Sequence, residues 1–160
     1  RNDGVLMKDK TKGNLMVTGQ FILLAELMFV PGRSDWAVGG ALHLVAQVVL
    51  GAGILVTAVA IYGLGRSLTA NPVPLERATL KTTGLYAVVR HPIYLGLILV
   101  GVGLTVGSGS VFQVPALLGL VALLHFKARF EERLLFAKYP DYAEYASKVG
   151  RLVPGVGRIR

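Results

Sequence analysis

Arg90-His91-Pro92-Ile93-Tyr94-Leu95-Gly96 opens a hydrophobic hairpin, and Glu131-Glu132-Arg133-Leu134-Leu135 closes it. Between Ile93 and Phe126 there is not one Asp, Glu, Lys or Arg, so the ionisable residues are gathered at the two ends of the hairpin. A purely structural hairpin does not require them, and their return to one face points to chemistry at that face. Pro92 is tolerated in the first turn of a helix, which leaves Arg90 and His91 at the mouth, near free backbone N–H groups and the positive end of the dipole, where an anionic group is welcome. The plainer role for Arg90 is that of a membrane-edge arginine snorkelling to water. Glu131 and Glu132 are neighbours on a helix and point about 100° apart, so they are not expected to act as a dyad on one face. One is expected to look into the pocket while the other is solvated. Their plainer role is ion pairing, Lys127 to Glu131 at i, i+4 and Arg129 to Glu132 at i, i+3, each worth tenths of a kcal/mol.

The elements that position these residues belong in a bilayer. With 160 residues the chain is long enough for one domain, and 53% apolar content with a mean hydropathy of +0.58 exceeds what a soluble domain of this size needs. Four stretches read as spanning or nearly spanning helices, roughly 15–30, 37–64, 93–107 and 111–126. The first and the last two fall short of the ~20 residues that cross a ~30 Å hydrocarbon core. The expected fold class is therefore all-α, a polytopic integral membrane bundle of about four transmembrane helices, with a cytoplasmic connector and a C-terminal amphipathic helix over residues 127–148, interrupted near Pro140. Residues 1–13 are set aside as a tail or an appended remnant, and no cleavable signal peptide is apparent. The connector, with Asn71-Pro72-Val73-Pro74 and Thr82-Thr83-Gly84, cannot be a continuous helix because its two prolines lack an N–H and disfavour the helical conformation before them.

Charge gives the orientation. Of the 17 Lys and Arg residues, all but Arg33 lie before the first segment, between the second and third, or after the fourth. That bias fits an even number of crossings with both termini and the middle loop in the cytoplasm. The net charge of +8 tracks segment ends rather than forming a patch interleaved with aromatics, which argues against nucleic acid and for anionic lipid headgroups. With no cysteine, disulfides and thiolate metal sites are excluded, and His43, His91 and His125 never fall at ligand spacing, so no metal site is expected. Pro31-Gly32 with Arg33-Ser34-Asp35 reads as an outward turn, with Trp36 as an interfacial anchor. Gly39, Gly40, Gly51, Gly53 and Gly63, with Gly103 and Gly107 opposite them, read as close-packing positions. Inside the membrane, Glu26 is expected to tie helix one to helix two or to shape a substrate path, and His43 and Gln47 share a helix face.

Taken in order, Thr83-Gly84-Leu85-Tyr86-Ala87-Val88-Val89-Arg90-His91-Pro92-Ile93-Tyr94-Leu95-Gly96, the hairpin, Glu131-Glu132, Tyr139-Pro140-Asp141-Tyr142-Ala143-Glu144-Tyr145 and Arg151-Leu152-Val153-Pro154 resemble the isoprenylcysteine carboxyl methyltransferase family, whose superfamily also includes the phospholipid N-methyltransferases. The resemblance covers residues 71–154. It implies an integral membrane enzyme that uses S-adenosylmethionine and releases S-adenosylhomocysteine, with the cofactor held between the connector, the start of helix three and the C-terminal segment. Carried over onto matching positions, Tyr86, Arg90, His91, Tyr94 and Leu95 become cofactor contacts, while Glu131, Glu132 and later tyrosines including Tyr142 close the pocket. Glu132, Arg151 and Arg90 become the candidate catalytic residues, Arg151 lying near the polar end of a lipophilic substrate that enters from the bilayer.

Methyl transfer from a sulfonium is an in-line displacement, so alignment of two bound reactants matters more than a strong acid or base and can supply ~7–11 kcal/mol. Arg151 or Arg90 would hold a carboxylate acceptor in bidentate fashion. Glu132 would hold a cofactor hydroxyl or ammonium, or accept a proton. Three functions compete: carboxyl or related S-/O-methylation of a lipophilic acceptor, phospholipid N-methylation, and a non-enzymatic membrane scaffold or transport subunit. Comparing phosphatidylethanolamine with prenylated cysteine analogues as acceptors separates the first two, and absence of S-adenosylmethionine binding would favour the third.

Overall fold

The computed structural model describes residues 3–31, 35–76 and 78–159, so the expected turn through Gly32, Arg33 and Ser34 lies outside the described residues. Five α-helices follow one another, α1 (Asp3–Phe29), α2 (Gly40–Leu64), α3 (Pro92–Ser108), α4 (Gln113–Lys138) and α5 (Tyr142–Lys148), with short 3-10 turns at Gly65–Ser67 and Gly84–Ala87. Among the described residues there is no strand, only an isolated parallel bridge between Val89 and Gly150, and the all-α expectation holds.

Two element boundaries correct the sequence reading. The stretch set aside as a tail is the first part of α1, because no proline lies between Asp3 and Leu15 and Asn71 of the connector ties it down through the Lys10 carbonyl at 3.2 Å and the Asn14 side chain at 2.7 Å. The separate amphipathic helix expected from residue 127 is the C-terminal half of a continuous 26-residue α4. No Gly or Pro lies between Gly119 and Pro140, so nothing breaks the helix at residue 127, and Tyr139 before that proline is extended, at φ −117° and ψ 115°.

α2 and α3 pack along their lengths through small residues. A Cβ on Gly53 would stand 2.6 Å from the Val100 nitrogen and 2.8 Å from the Gly96 oxygen, and one on Gly103 would stand 2.7 Å from Leu50, so only glycine admits this approach. α1 packs instead on α4 and α3, and Leu27, Tyr94, Ala116, Leu120, Leu124 and Ala128 form the buried core among these three helices. Glu26 is exposed on α1 and does not join α1 to α2, whereas His43 and Gln47 do meet on one face of α2, at 3.0 Å.

The four long helices alternate in direction. At one end, the start of α1, the connector, the start of α3 and the end of α4 meet, with Lys138 donating to the Leu75 carbonyl and Tyr139 Oη to the Ala78 carbonyl at 2.5 Å. At the other, Trp36 N donates to Gly109 O at 3.2 Å, and Gln113 Nε2 to the Leu27 and Val30 carbonyls at 3.4 and 3.1 Å. Among the described residues one helical stretch, Gly40–Ser67, is long and apolar enough to cross a membrane, with a hydropathy of 2.4 and only 17% of its apolar window buried in the protein. Leu44, Val48, Leu55 and Tyr62 stand exposed along it, a surface that suits hydrocarbon rather than water. α3 has 17 residues, about 26 Å at 1.5 Å per residue, and falls short of a full span by itself.

Candidate active site

The segment entering α3 is pinned to the C-terminal segment through its backbone. Arg90 N donates to Gly150 O at 2.8 Å and His91 N to Arg151 O at 3.1 Å, continuing from the Val89–Gly150 bridge. Pro92 then starts α3, as its fixed φ favours, and Tyr94 follows inside the first turn. α4 brings Glu131 and Glu132 to the same place, so the two stretches separated by the hairpin converge at one end of the bundle.

Glu132 is the hub. Its Oε1 accepts from Arg90 Nε at 2.9 Å and Nη2 at 2.7 Å, and stands 3.3 Å from His91 Nε2. Its Oε2 accepts from Arg151 Nε at 2.9 Å and pairs with Nη2 at 2.8 Å. Glu132 is 3% exposed and Arg90 4% exposed, so this is a buried pair rather than a surface one. Burial alone would raise the Glu132 pKa, but hydrogen bonds from His91, Arg151 and Arg90 outweigh it and bring the carboxyl down to about 2. Arg90 spends its remaining donors on backbone, Nη1 on the Ala146 and Val149 carbonyls and Nη2 on Gly157 O.

Glu131 serves the same cluster from its neighbouring position. Tyr94 Oη donates to Glu131 Oε2 at 2.8 Å, and His91 Nδ1 lies 3.7 Å from that oxygen. This corrects the expectation of one solvated glutamate: the His91 ring bridges the two carboxylates, which a 100° separation on the helix permits because the ring lies between them. The His91 and Tyr94 rings stack at 5.2 Å with an interplanar angle of 2°. The expected Arg129–Glu132 pair does not form, since Glu132 is held by Arg90 and Arg151.

Two cavities meet at this cluster. A narrow one of about 80 Å³ runs under the connector, where Thr69, Tyr86, His91, Glu131, Tyr142 and Tyr145 share its wall with aliphatic residues such as Leu64, Leu80 and Leu135. A larger one of about 360 Å³, mostly apolar, opens between α1, α2 and α3, bordered by Phe21, Leu24, Thr57, Ile61, Ile93 and Leu97. Tyr86, Arg90, His91 and Glu131 border both. The tyrosines stay protonated: burial, with the nearby carboxylates, raises Tyr86 and Tyr142 well above the usual phenol range, and burial pushes Tyr145 up to about 12. Tyr145 Oη donates to the Tyr86 carbonyl, whereas Tyr142, 1% exposed, has a buried hydroxyl without a hydrogen-bond partner.

The structure thus brings Tyr86, Arg90, His91, Tyr94, Glu131, Glu132 and Tyr142 together. Leu95 does not join them: one position past Tyr94, it is turned about 100° around the helix and borders neither cavity. Arg151 lies behind Glu132, where it borders a separate groove with Lys12, Arg129 and Arg133. Both arginines are therefore given to Glu132 rather than left open to a ligand. Sequence reasoning passed over Lys127 and Gln20. Lys127, treated as a surface ion-pair partner of Glu131, is 1% exposed, and its Nζ donates to Gln20 Oε1 at 2.7 Å and lies 5.1 Å over the Tyr94 ring. The available signal was its place directly after the uncharged run, one helical turn before Glu131 and so on the site's face.

No solved structure matches the chain. The cobalt-zinc-cadmium resistance protein CzcN of Cupriavidus metallidurans is 36% identical over 84 residues, a match covering 51% of this chain and 38% of that protein, so the chain spans well under two thirds of that relative's length. The sequence profile of the phospholipid methyltransferase family matches residues 41–142, which run from the start of α2 through the glutamate pair to Tyr142, and the chain belongs to that family.

Proposed function

We propose that the protein is a single-domain integral membrane enzyme that transfers a methyl group from S-adenosylmethionine to a lipophilic acceptor, by carboxyl O-methylation or a related S-/O-methylation. The observation that carries this reading is the junction of a narrow, tyrosine-lined cavity with a larger, mostly apolar one at His91 and Glu131. α1 to α4 cross or nearly cross the bilayer, with both termini and the connector on the cytoplasmic side and the family-like region 71–154 forming the catalytic part. The acceptor enters the larger cavity from the bilayer between α1, α2 and α3, so its chain lies against Phe21, Leu24, Ile61 and Leu97.

The narrow cavity suits one part of the cofactor on the chemistry of its lining; at about 80 Å³ it is too small for the whole molecule, whose remainder extends past His91 and Glu131 into the larger cavity. The unpartnered hydroxyl of Tyr142 is a hydrogen-bond group left for a ligand, the aromatic faces of Tyr86 and Tyr145 suit a flat base, and Glu131 places negative charge beside a cationic sulfur. Bound there, S-adenosylmethionine supplies a methyl group activated by the sulfonium. The chain's own part is alignment and exclusion of water. Arg90 and Arg151 lock Glu132, Glu132 and Glu131 hold His91 between them, and the stacked His91 and Tyr94 rings form a rigid wall where the two cavities meet. Such locking of site residues by a supporting shell keeps two reactants in near-attack geometry. Glu131, whose side chain is 27% exposed, is the carboxylate placed to take a proton from a neutral nucleophile at the junction.

Phospholipid N-methylation is the second reading, and the family's own name favours it. The test is turnover by the purified protein in lipid nanodiscs with methyl-labelled S-adenosylmethionine, offering a prenylated cysteine analogue and phosphatidylethanolamine in separate reactions. Label in the prenylated acceptor supports the first reading and label in the phospholipid the second. No label in any lipid, together with no S-adenosylhomocysteine binding, overturns both.

A further inference from the structure

Lys127 is a buried ammonium with no ion pair at contact distance among the described residues, Glu131 one helical turn on attracting it only from farther away. Its ammonium carries three donors, and one is used, on the neutral amide of Gln20 at 2.7 Å. The Tyr94 ring at 5.1 Å offers a π face, which attracts a cation without neutralising it. Among the described residues every ion pair involves other groups, Glu131 being engaged by Tyr94 and His91 and Glu132 by Arg90, His91 and Arg151. A buried ammonium is costly unless paired and hydrogen-bonded. Lys127 also borders the larger, mostly apolar cavity, near its junction with the narrow one.

Resting on the methyltransferase reading above, we infer that Lys127 is the receptor for an oxyanion on the methyl acceptor, so that the enzyme selects lipids carrying a carboxylate or phosphate next to the apolar chain. Gln20 fixes the ammonium from α1 and Tyr94 supports it from α3, which leaves the other donors for the incoming anion. The chain of the acceptor then lies along Leu24, Ile93 and Leu97, and its anionic end is drawn toward the junction at His91 and Glu131. The same geometry turns away uncharged lipids, because binding them leaves the ammonium unpaired in an apolar wall.

The test uses two pairs of probes that differ in whether they carry an oxyanion: N-acetyl-S-farnesylcysteine against its carboxamide, and phosphatidic acid against diacylglycerol. Binding is measured by thermophoresis on the full chain in uncharged detergent, for the wild type, Lys127→Met, Lys127→Arg and Gln20→Leu. The wild type should prefer the anionic member of at least one pair by about tenfold or more. The pair that shows the preference identifies whether a carboxylate or a phosphate is read. Lys127→Met should bring that ratio to about one, Lys127→Arg should keep most of it, and Gln20→Leu should reduce it. Lys127→Met removes a buried charge with a side chain only one atom shorter, and a melting temperature at or above the wild type's shows that it folds. No preference in either pair, or a preference unchanged in folded Lys127→Met, overturns the inference. S-adenosylhomocysteine binding by the wild type, measured in parallel, separates the two levels: if it binds and the lipid preference is absent, the lysine's role falls alone, and if it does not bind, the methyltransferase reading falls on its own measurement.

Discussion

Replacing Glu132 with Gln tests the hub of the site with little change of shape. The carboxylate accepts from two guanidinium groups and faces one imidazole, and the Arg90 side chain it holds is fully buried, so a neutral amide leaves a buried cation without its counter-ion. Gln also presents an NH₂ group where both oxygens now accept, which sets donor against donor at Arg90 or Arg151. Removing one partner of a buried pair costs ~3–5 kcal/mol. For a chain of this size that corresponds to a melting-temperature drop of about 10 °C, read by circular dichroism in detergent. The pH dependence has a definite sign. Because the folded carboxyl is held down at about 2, below its ordinary value of 4.5, its contribution is fully present above that ordinary value and is lost as pH falls through about 2. The wild type should therefore lose stability progressively below pH 4.5, and Glu132→Gln should lack that part of the acid limb. The double variant Arg90→Met with Glu132→Leu should recover part of the loss, since it removes both charges together. If Glu132→Gln melts within about 2 °C of the wild type, with the acid limb unchanged, the pair does not organise this end of the bundle and the reasoning fails.

Tyr142→Phe removes a buried hydroxyl that has no protein partner. It should leave the melting temperature equal or higher, yet weaken S-adenosylhomocysteine binding by about two- to tenfold in calorimetry, the value of one hydrogen bond. Gly96→Leu inserts a side chain where a Cβ would already overlap Thr57, and should destabilise the α2–α3 packing by ~1–3 kcal/mol or more, seen as a lower melting temperature. The chain has no cysteine, so Lys81→Cys and Val111→Cys can be labelled singly; a membrane-impermeant maleimide should reach them from opposite sides of intact vesicles, position 81 from the cytoplasmic side.

How far the sequence could be read follows from where its signals are local. The apolar runs gave the end of α2 but placed its start three residues early, and α3 was given to within one residue at each end, because Pro92 and Gly109 punctuate it by their own backbone preferences. The start of α1 was lost because charged residues interspersed with apolar ones carry no membrane signal, and its helix is held by a distant asparagine, Asn71. α4 was divided at Phe126 since hydropathy changes there, although the backbone has no reason to break. At the site, the uncharged run between them placed His91, Glu131 and Glu132 at one face, whereas Tyr94 entered only through the family resemblance. The fate of each donor was not legible: Arg90 looks free in sequence but is consumed by Glu132 and three carbonyls, and those carbonyls come from residues 146, 149 and 157. Lys127 was legible only in part: its attraction to Glu131 was expected from the i, i+4 spacing, but only the packing of α1 against α4 shows that it is buried and that its contact partner is Gln20.

The central claim is that the tyrosine-lined cavity beneath the connector holds the methyl donor, and titration calorimetry of the purified protein with S-adenosylhomocysteine tests it most directly. Saturable binding at one molecule per chain, abolished or strongly weakened in His91→Ala, is the result this account requires. A wild-type protein that is folded by its melting curve and releases no heat on titration, or a His91→Ala variant that binds as the wild type does, would contradict it.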